Sequence, residues 1–80
     1  MMMPDSAAAA PYAERAKNIL KSELKRRGIT YAELAQKLTA LGVQESERNL
    51  ANKISRGSFT AAFFMMCMDA IGVRSVSLEA

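Results

Sequence analysis

Apolar residues fall four apart at Ala16, Leu20 and Leu24, with Ala13 and Ile19 widening the stripe, so a first helix is predicted from Tyr12. Lys17, Lys21 and Lys25 share a separate face of it, and Arg26 and Arg27 load its last turn, where cations suit the helix dipole. Gly28 supplies the stop. Thr30 followed by Glu33 is a capping box, with Ile29 and Leu34 placed as its hydrophobic staple. Leu34, Ala35, Leu38 and Leu41 then form the stripe of a second helix that Gly42 ends. Ser46 caps a third helix whose narrow seam is Leu50, Ala51 and Ile54 and whose stop is Gly57. Thr60 caps a fourth helix running to Gly72.

Two stretches lack this regularity. Residues 1–11 carry three methionines, four consecutive alanines and two prolines with no periodic face, and read as a disordered tail. Residues 74–80 read as a carboxy-terminal tail, and the weak alternation of Val73, Val76 and Leu78 fits either a short strand or a docked segment. The predicted fold class is all-α: a four-helix bundle over 12–73.

Composition narrows the chemistry. The chain has 80 residues, enough for one domain with a modest core. It has no histidine and one cysteine, which leaves no internal disulfide, no multi-cysteine zinc site and no usual general base. No catalytic residue, metal ligand or cofactor site is predicted, and the chain reads as a binding module. The longest apolar run, Ala61 to Met68, is far short of the roughly 20 residues of a membrane span. With no signal-peptide pattern, a reducing cytoplasm is expected, with Cys67 a free thiol serving packing.

Charge adds a direction. Eleven basic and eight acidic residues give +3, but Tyr12 to Gly57 alone holds ten basic and five acidic ones, a local +5 that suits a polyanion. At 100° per residue, Asn49, Asn52 and Arg56 cluster opposite the apolar seam of the third helix, flanked by Arg48 and Lys53. Asparagine pairs bidentately with adenine and arginine with guanine when a helix presents them to the major groove. The competing reading is the solvated face of an amphipathic helix, although a mid-helix asparagine is a poor helix former with no packing role there.

These residues carry a resemblance. Leu24-Lys25-Arg26-Arg27-Gly28-Ile29-Thr30, Glu33-Leu34-Ala35-Gln36-Lys37-Leu38, Lys53-Ile54-Ser55-Arg56-Gly57 and Asp69-Ala70-Ile71-Gly72-Val73 occur in the order of a known domain type. Over Ile19 to Val73 the chain resembles the phage-repressor and Cro helix-turn-helix family, also called xenobiotic-response-element regulators. It is also similar to a family of small uncharacterised bacterial domains with an Asn-Lys-Ile-Ser-Arg-Gly core, which implies no activity. The first resemblance implies a lambda-repressor-like helix-turn-helix that regulates transcription by binding double-stranded DNA, with a recognition helix at about 46–56.

Two departures bear on the DNA contact. Tyr31 stands where that family commonly has glutamine, so a phenol hydroxyl takes over the phosphate contact. The turn before the third helix is about three residues longer than the usual three to four, which either tilts the recognition helix or brings Gln44 and Glu45 to the groove edge. There Glu45 and Glu47 repel phosphates unless they meet cytosine amino groups or protein. The expected DNA-contacting set is Tyr31, Lys37, Gln44, Arg48, Asn49, Asn52, Lys53 and Arg56.

The fourth helix is apolar on all sides. Ala61, Phe64, Met65, Met68 and Ile71 fit a buried face, which leaves Phe63 and Met66 pointing away, with Phe59 near them. A helix of this kind is buried on both sides or lies at an interface. The expected interface set is Phe59, Phe63 and Met66, used by a homodimer. The alternative is a protein-interaction module docking on a transcription or toxin partner through the same patch.

Overall fold

The computed structural model describes residues 6–78. It contains four helices: α1 (Ser6–Arg27), α2 (Tyr31–Ala40), α3 (Glu47–Arg56) and α4 (Ala61–Ala70). No strand occurs among the described residues, and the architecture is an all-α four-helix bundle.

Short-range chemistry sets the helix starts. The Thr30 hydroxyl accepts from the Glu33 N–H at 3.1 Å, while the Thr30 N–H donates to Glu33 Oε1 at 2.9 Å, completing the capping box of α2. Ser46 Oγ accepts from the Asn49 N–H at 3.1 Å, and Thr60 Oγ1 accepts from the Phe63 N–H at 3.0 Å. Each satisfies one of the orphan donors that open a helix. The glycines at 28, 42, 57 and 72 follow the four helices, all at positive φ.

The capping box has a pH signature. Hydrogen bonds from the Thr30 backbone, and then from its hydroxyl, hold the Glu33 carboxyl below its ordinary value of 4.5. A carboxyl lowered in the folded state stabilises above its unfolded value and loses that contribution as pH falls through the folded value. Comparing the wild type with Glu33→Ala should therefore show a stability gap at pH 7 that closes in strong acid. A gap independent of pH would separate Glu33 from the cap.

One core holds the helices together. Ile19, Leu20 and Leu24 come from α1, Leu34 and Leu38 from α2, and Leu50 and Ile54 from α3; Phe63, Cys67, Met68 and Ile71 complete it. α3 packs on both α1 and α2, and α2 packs on α4. Leu41, assigned above to the stripe of α2, is instead exposed: it is the C-cap residue, where the helix has already ended.

Two further differences from the sequence reading, and one choice between alternatives it left open, have physical causes. First, α1 begins at Ser6, so residues 6–11 are helical and only 1–5 of the expected tail lie outside the described residues. Alanine is the best helix former and needs no buried face, so a search for stripes passes over it. Pro11 lies inside this extension and supplies no N–H to its ladder.

Second, of the two alternatives left open for the carboxy-terminal residues the docked segment is the one found: 73–78 form no strand and dock, with Val73 and Val76 against the core and Arg15 Nη2 donating to the Leu78 carbonyl at 2.9 Å. The expected tail thus lies against the bundle as far as Leu78, and 79–80 fall outside the described residues.

Third, α4 is turned differently from the expectation. Phe63 is 4% exposed and belongs to the core, whereas Met65 is 66% exposed and Ala61 is exposed too. With apolar residues all round, α4 carries no polar side to report its rotation, and the partners it packs on decide it.

Glu23 was not singled out in the sequence. It is buried, with Arg26 Nη1 and Arg27 Nε each 3.5 Å from its carboxylate oxygens. Arg27 Nη1 also donates to the Ile71 carbonyl at 3.3 Å, tying the end of α1 to the end of α4. The signal was present: Glu23 interrupts the Leu20–Leu24 stripe and has arginines three and four residues on, the spacing of helical ion pairs.

Candidate nucleic-acid interface

The outer surface of α3 is built by its inner one. Leu50 and Ile54 are completely buried, which fixes the helix's rotation. Arg48, Asn49, Asn52 and Arg56 are then all exposed, on the side away from the core. Glu47 in the first turn and Lys53 and Arg56 in the last complement the helix dipole. Gly57 ends the helix with φ +70, and its N–H is donated to the Ile54 and Lys53 carbonyls.

The other expected contact residues lie around this face. Gln44 is exposed in the connection 41–46, and Lys37 is exposed in the last turn of α2. Tyr31 is half-buried at the start of α2 and packs against the core. It shares a hollow of about 250 Å³ with Lys21, Lys25 and Thr30, so two lysines of α1 line the same hollow as Tyr31. Those lysines read in the sequence as a solvated face; only the packing of α1 beside the start of α2 brings them to Tyr31.

Lys53 departs from its expected role. Its ammonium is ion-paired with Glu45 and lies 5.0 Å from the centroid of the Phe63 ring. Lys53 is thus neutralised by protein and held over an aromatic face. The same pair disposes of the expected conflict at Glu45, whose charge is met by protein. The long connection before α3 is what lets Glu45 reach back to a residue eight positions on. Lys53 and Arg56 also border a hollow of about 260 Å³ with Ser58, Phe59 and Thr60, at the α3–α4 junction. Ser58 there carried no periodic or capping signal in the sequence.

Of the expected interface set, only Phe63 is withdrawn from the surface. Phe63 is in the core, and Phe59 and Met66 are half-buried against it. Phe59 packs 5.5 Å from Phe63 and stacks on Phe64 at 6.1 Å, forming one aromatic cluster. Cys67 is fully buried; burial foremost, with the Glu45 charge adding and Lys53 opposing, pushes its thiol up to about 12. It is a protonated packing group at neutral pH. Among the described residues no three or more acidic, cysteine or histidine side chains gather into a metal site, and no helix is long and apolar enough to cross a membrane.

The fold defines a small all-α domain whose third helix presents an exposed basic and amide face. Residues 12–76 match the family described as Domain of unknown function (DUF6471), and the chain belongs to that family. No curated protein and no solved structure matches it.

Proposed function

We propose that this domain is a sequence-specific, double-stranded DNA-binding regulator of transcription. It acts by binding and not by catalysis, in the cytoplasm of a bacterial cell, as a homodimer on a two-fold operator. The observation that carries the reading is the division of α3: Leu50 and Ile54 are completely buried while Arg48, Asn49, Asn52 and Arg56 stand exposed together. A helix so anchored can enter the major groove as a rigid rod, with amides and guanidinium groups at base edges. Lys37 and the Lys21–Lys25 pair beside Tyr31 supply charge for phosphates, which position the protein without reading sequence.

The test is selection of bound fragments from genomic DNA at near-physiological salt. An enriched two-fold site with half-sites about 34–36 Å apart supports the reading; uniform, salt-labile recovery overturns it. On an enriched site, Asn52→Ala should cost about 1–3 kcal/mol at one base position and relax the preference there. Lys37→Ala should weaken all sequences alike. An unchanged base preference in Asn52→Ala would remove Asn52 from the reading face.

The second reading, docking on a protein partner through α4, loses Phe63 as its anchor. What favours it is Met65, a large apolar side chain left two-thirds exposed on that helix. Met65→Lys separates the two readings: DNA affinity of a regulator survives it, and partner capture through α4 does not.

A further inference from the structure

A hollow of about 490 Å³ opens between the first half of α1 and the start of α4. Ile19 forms part of its wall on the α1 side, and the Phe59–Phe64 stack, with ring planes 8° apart, walls the other. Tyr12 and Leu78, both two-thirds exposed, stand at its rim. Among the described residues one charged side chain lines it, Arg15, and no carboxylate does. Arg15 is oriented by protein: Nη2 donates to the Leu78 carbonyl, and the guanidinium carbon lies 5.8 Å from the Tyr12 ring centroid. The adjacent Glu14 is turned to Lys17 at 3.0 Å, and among the described residues no ion pair neutralises Arg15.

We propose that this hollow binds an amphipathic monocarboxylate, an aliphatic or aryl-alkyl acid. Its apolar body lies on the Phe59–Phe64 stack and its carboxylate meets Arg15. The volume falls in the range of about 300–1,000 Å³ typical of small-molecule sites. The planar guanidinium matches a carboxylate bidentately and, with one nitrogen held by Leu78, is already oriented. The Thr60 hydroxyl, whose oxygen accepts from Phe63, leaves its own proton as a second donor at the rim. A cationic ligand would be repelled by Arg15, and a polyol or free phosphate would leave the aromatic wall in water. A second copy of the chain seated here about a two-fold axis would bring Arg15 towards Arg15, with no acid among the described lining residues to separate them.

The site also touches the end of α3. Ala13, between the wall residues Tyr12 and Ala16, has its carbonyl against Gly57, so a ligand holding this part of α1 braces the seat of α3. Any effect on DNA rests on the function proposed above, whereas binding itself is measured without DNA and stands or falls alone.

The probe is decanoate, titrated into the full chain below its micellar concentration and followed by calorimetry and ¹⁵N–¹H spectra, with decan-1-ol as the neutral match. The expected result is saturable one-to-one binding with shifts at Tyr12, Ala16, Phe59, Thr60 and Leu78. Arg15→Gln should weaken decanoate at least about tenfold and leave decan-1-ol unchanged. Ala61→Trp, at an exposed rim position, should weaken both ligands while the spectrum of the fold is retained. Equal binding of acid and alcohol with no effect of Arg15→Gln overturns the assignment of ligand class. Absence of saturable binding overturns the site, whether the protein sediments as a monomer or as a dimer that shields Tyr12 and Leu78.

Discussion

Phe63→Ala will destabilise the domain by about 3–5 kcal/mol, the range for deleting a buried aromatic ring, while Met65→Ala two positions on will change stability by about 0.5 kcal/mol or less. Phe63 is 4% exposed, touches Phe59 at 5.5 Å between centroids, and lies beneath the Lys53 ammonium. Its removal opens a cavity between α3 and α4 and also takes away the ring on which Lys53 rests. For a domain of this size each kcal/mol moves Tm by roughly 4–8 °C, so the variant will melt at least about 12 °C lower. Thermal and urea denaturation followed by circular dichroism measure both variants. A larger loss for Met65→Ala than for Phe63→Ala would mean that α4 is rotated from the orientation described.

Gly57→Ala is expected to cost about 3 kcal/mol, from two separable sources. The left-handed conformation, φ +70, carries about 1–2 kcal/mol for any residue with a Cβ. The added carbon would also lie 2.6 Å from the Ala13 carbonyl oxygen and 3.1 Å from its carbon. Both are backbone atoms within a helix and cannot turn aside, so α1 must move off the end of α3; overpacking of this kind adds about 1–3 kcal/mol. Gly28→Ala is the control, since Gly28 has φ +67 but open space where its Cβ would go. It will show the conformational part alone. Equal losses for the two variants in urea denaturation would remove the close seat of α1 on α3.

The parts of this fold legible in the sequence are those decided within a few residues. Thr30, Ser46 and Thr60 announce α2, α3 and α4 because a cap needs only a hydroxyl and the N–H three positions on. Leu50 and Ile54 disclose the seam of α3 because a polar face surrounds them, and the exposed positions of Arg48, Asn49, Asn52 and Arg56 follow from that seam. α4 disclosed its limits but not its orientation, since eight apolar residues in a row leave its rotation to α2 and α3. The Lys53–Glu45 pair and the grouping of Tyr31 with Lys21 and Lys25 depend on how separate elements meet, and no local spacing encodes them. Residues 6–11 give no such sign for the opposite reason: alanine makes helix without needing a partner.

That independence gives α1 two unequal halves. From Ala8 to Asn18 no side chain is buried, and Pro11 leaves the ladder one donor short, whereas Ile19, Leu20, Glu23 and Leu24 are all buried. The first half is held mainly by remote contacts, among them Arg15 to Leu78 across 63 residues of chain and the seat of Ala13 on Gly57. Releasing such contacts frees backbone without opening the core, so this segment can fray by itself, in the manner of a local unfolding unit. Native-state hydrogen exchange should find amides 12–17 opening at a lower free energy than those of α2 and α3. Uniform protection across α1 would show instead that it opens only with the whole domain.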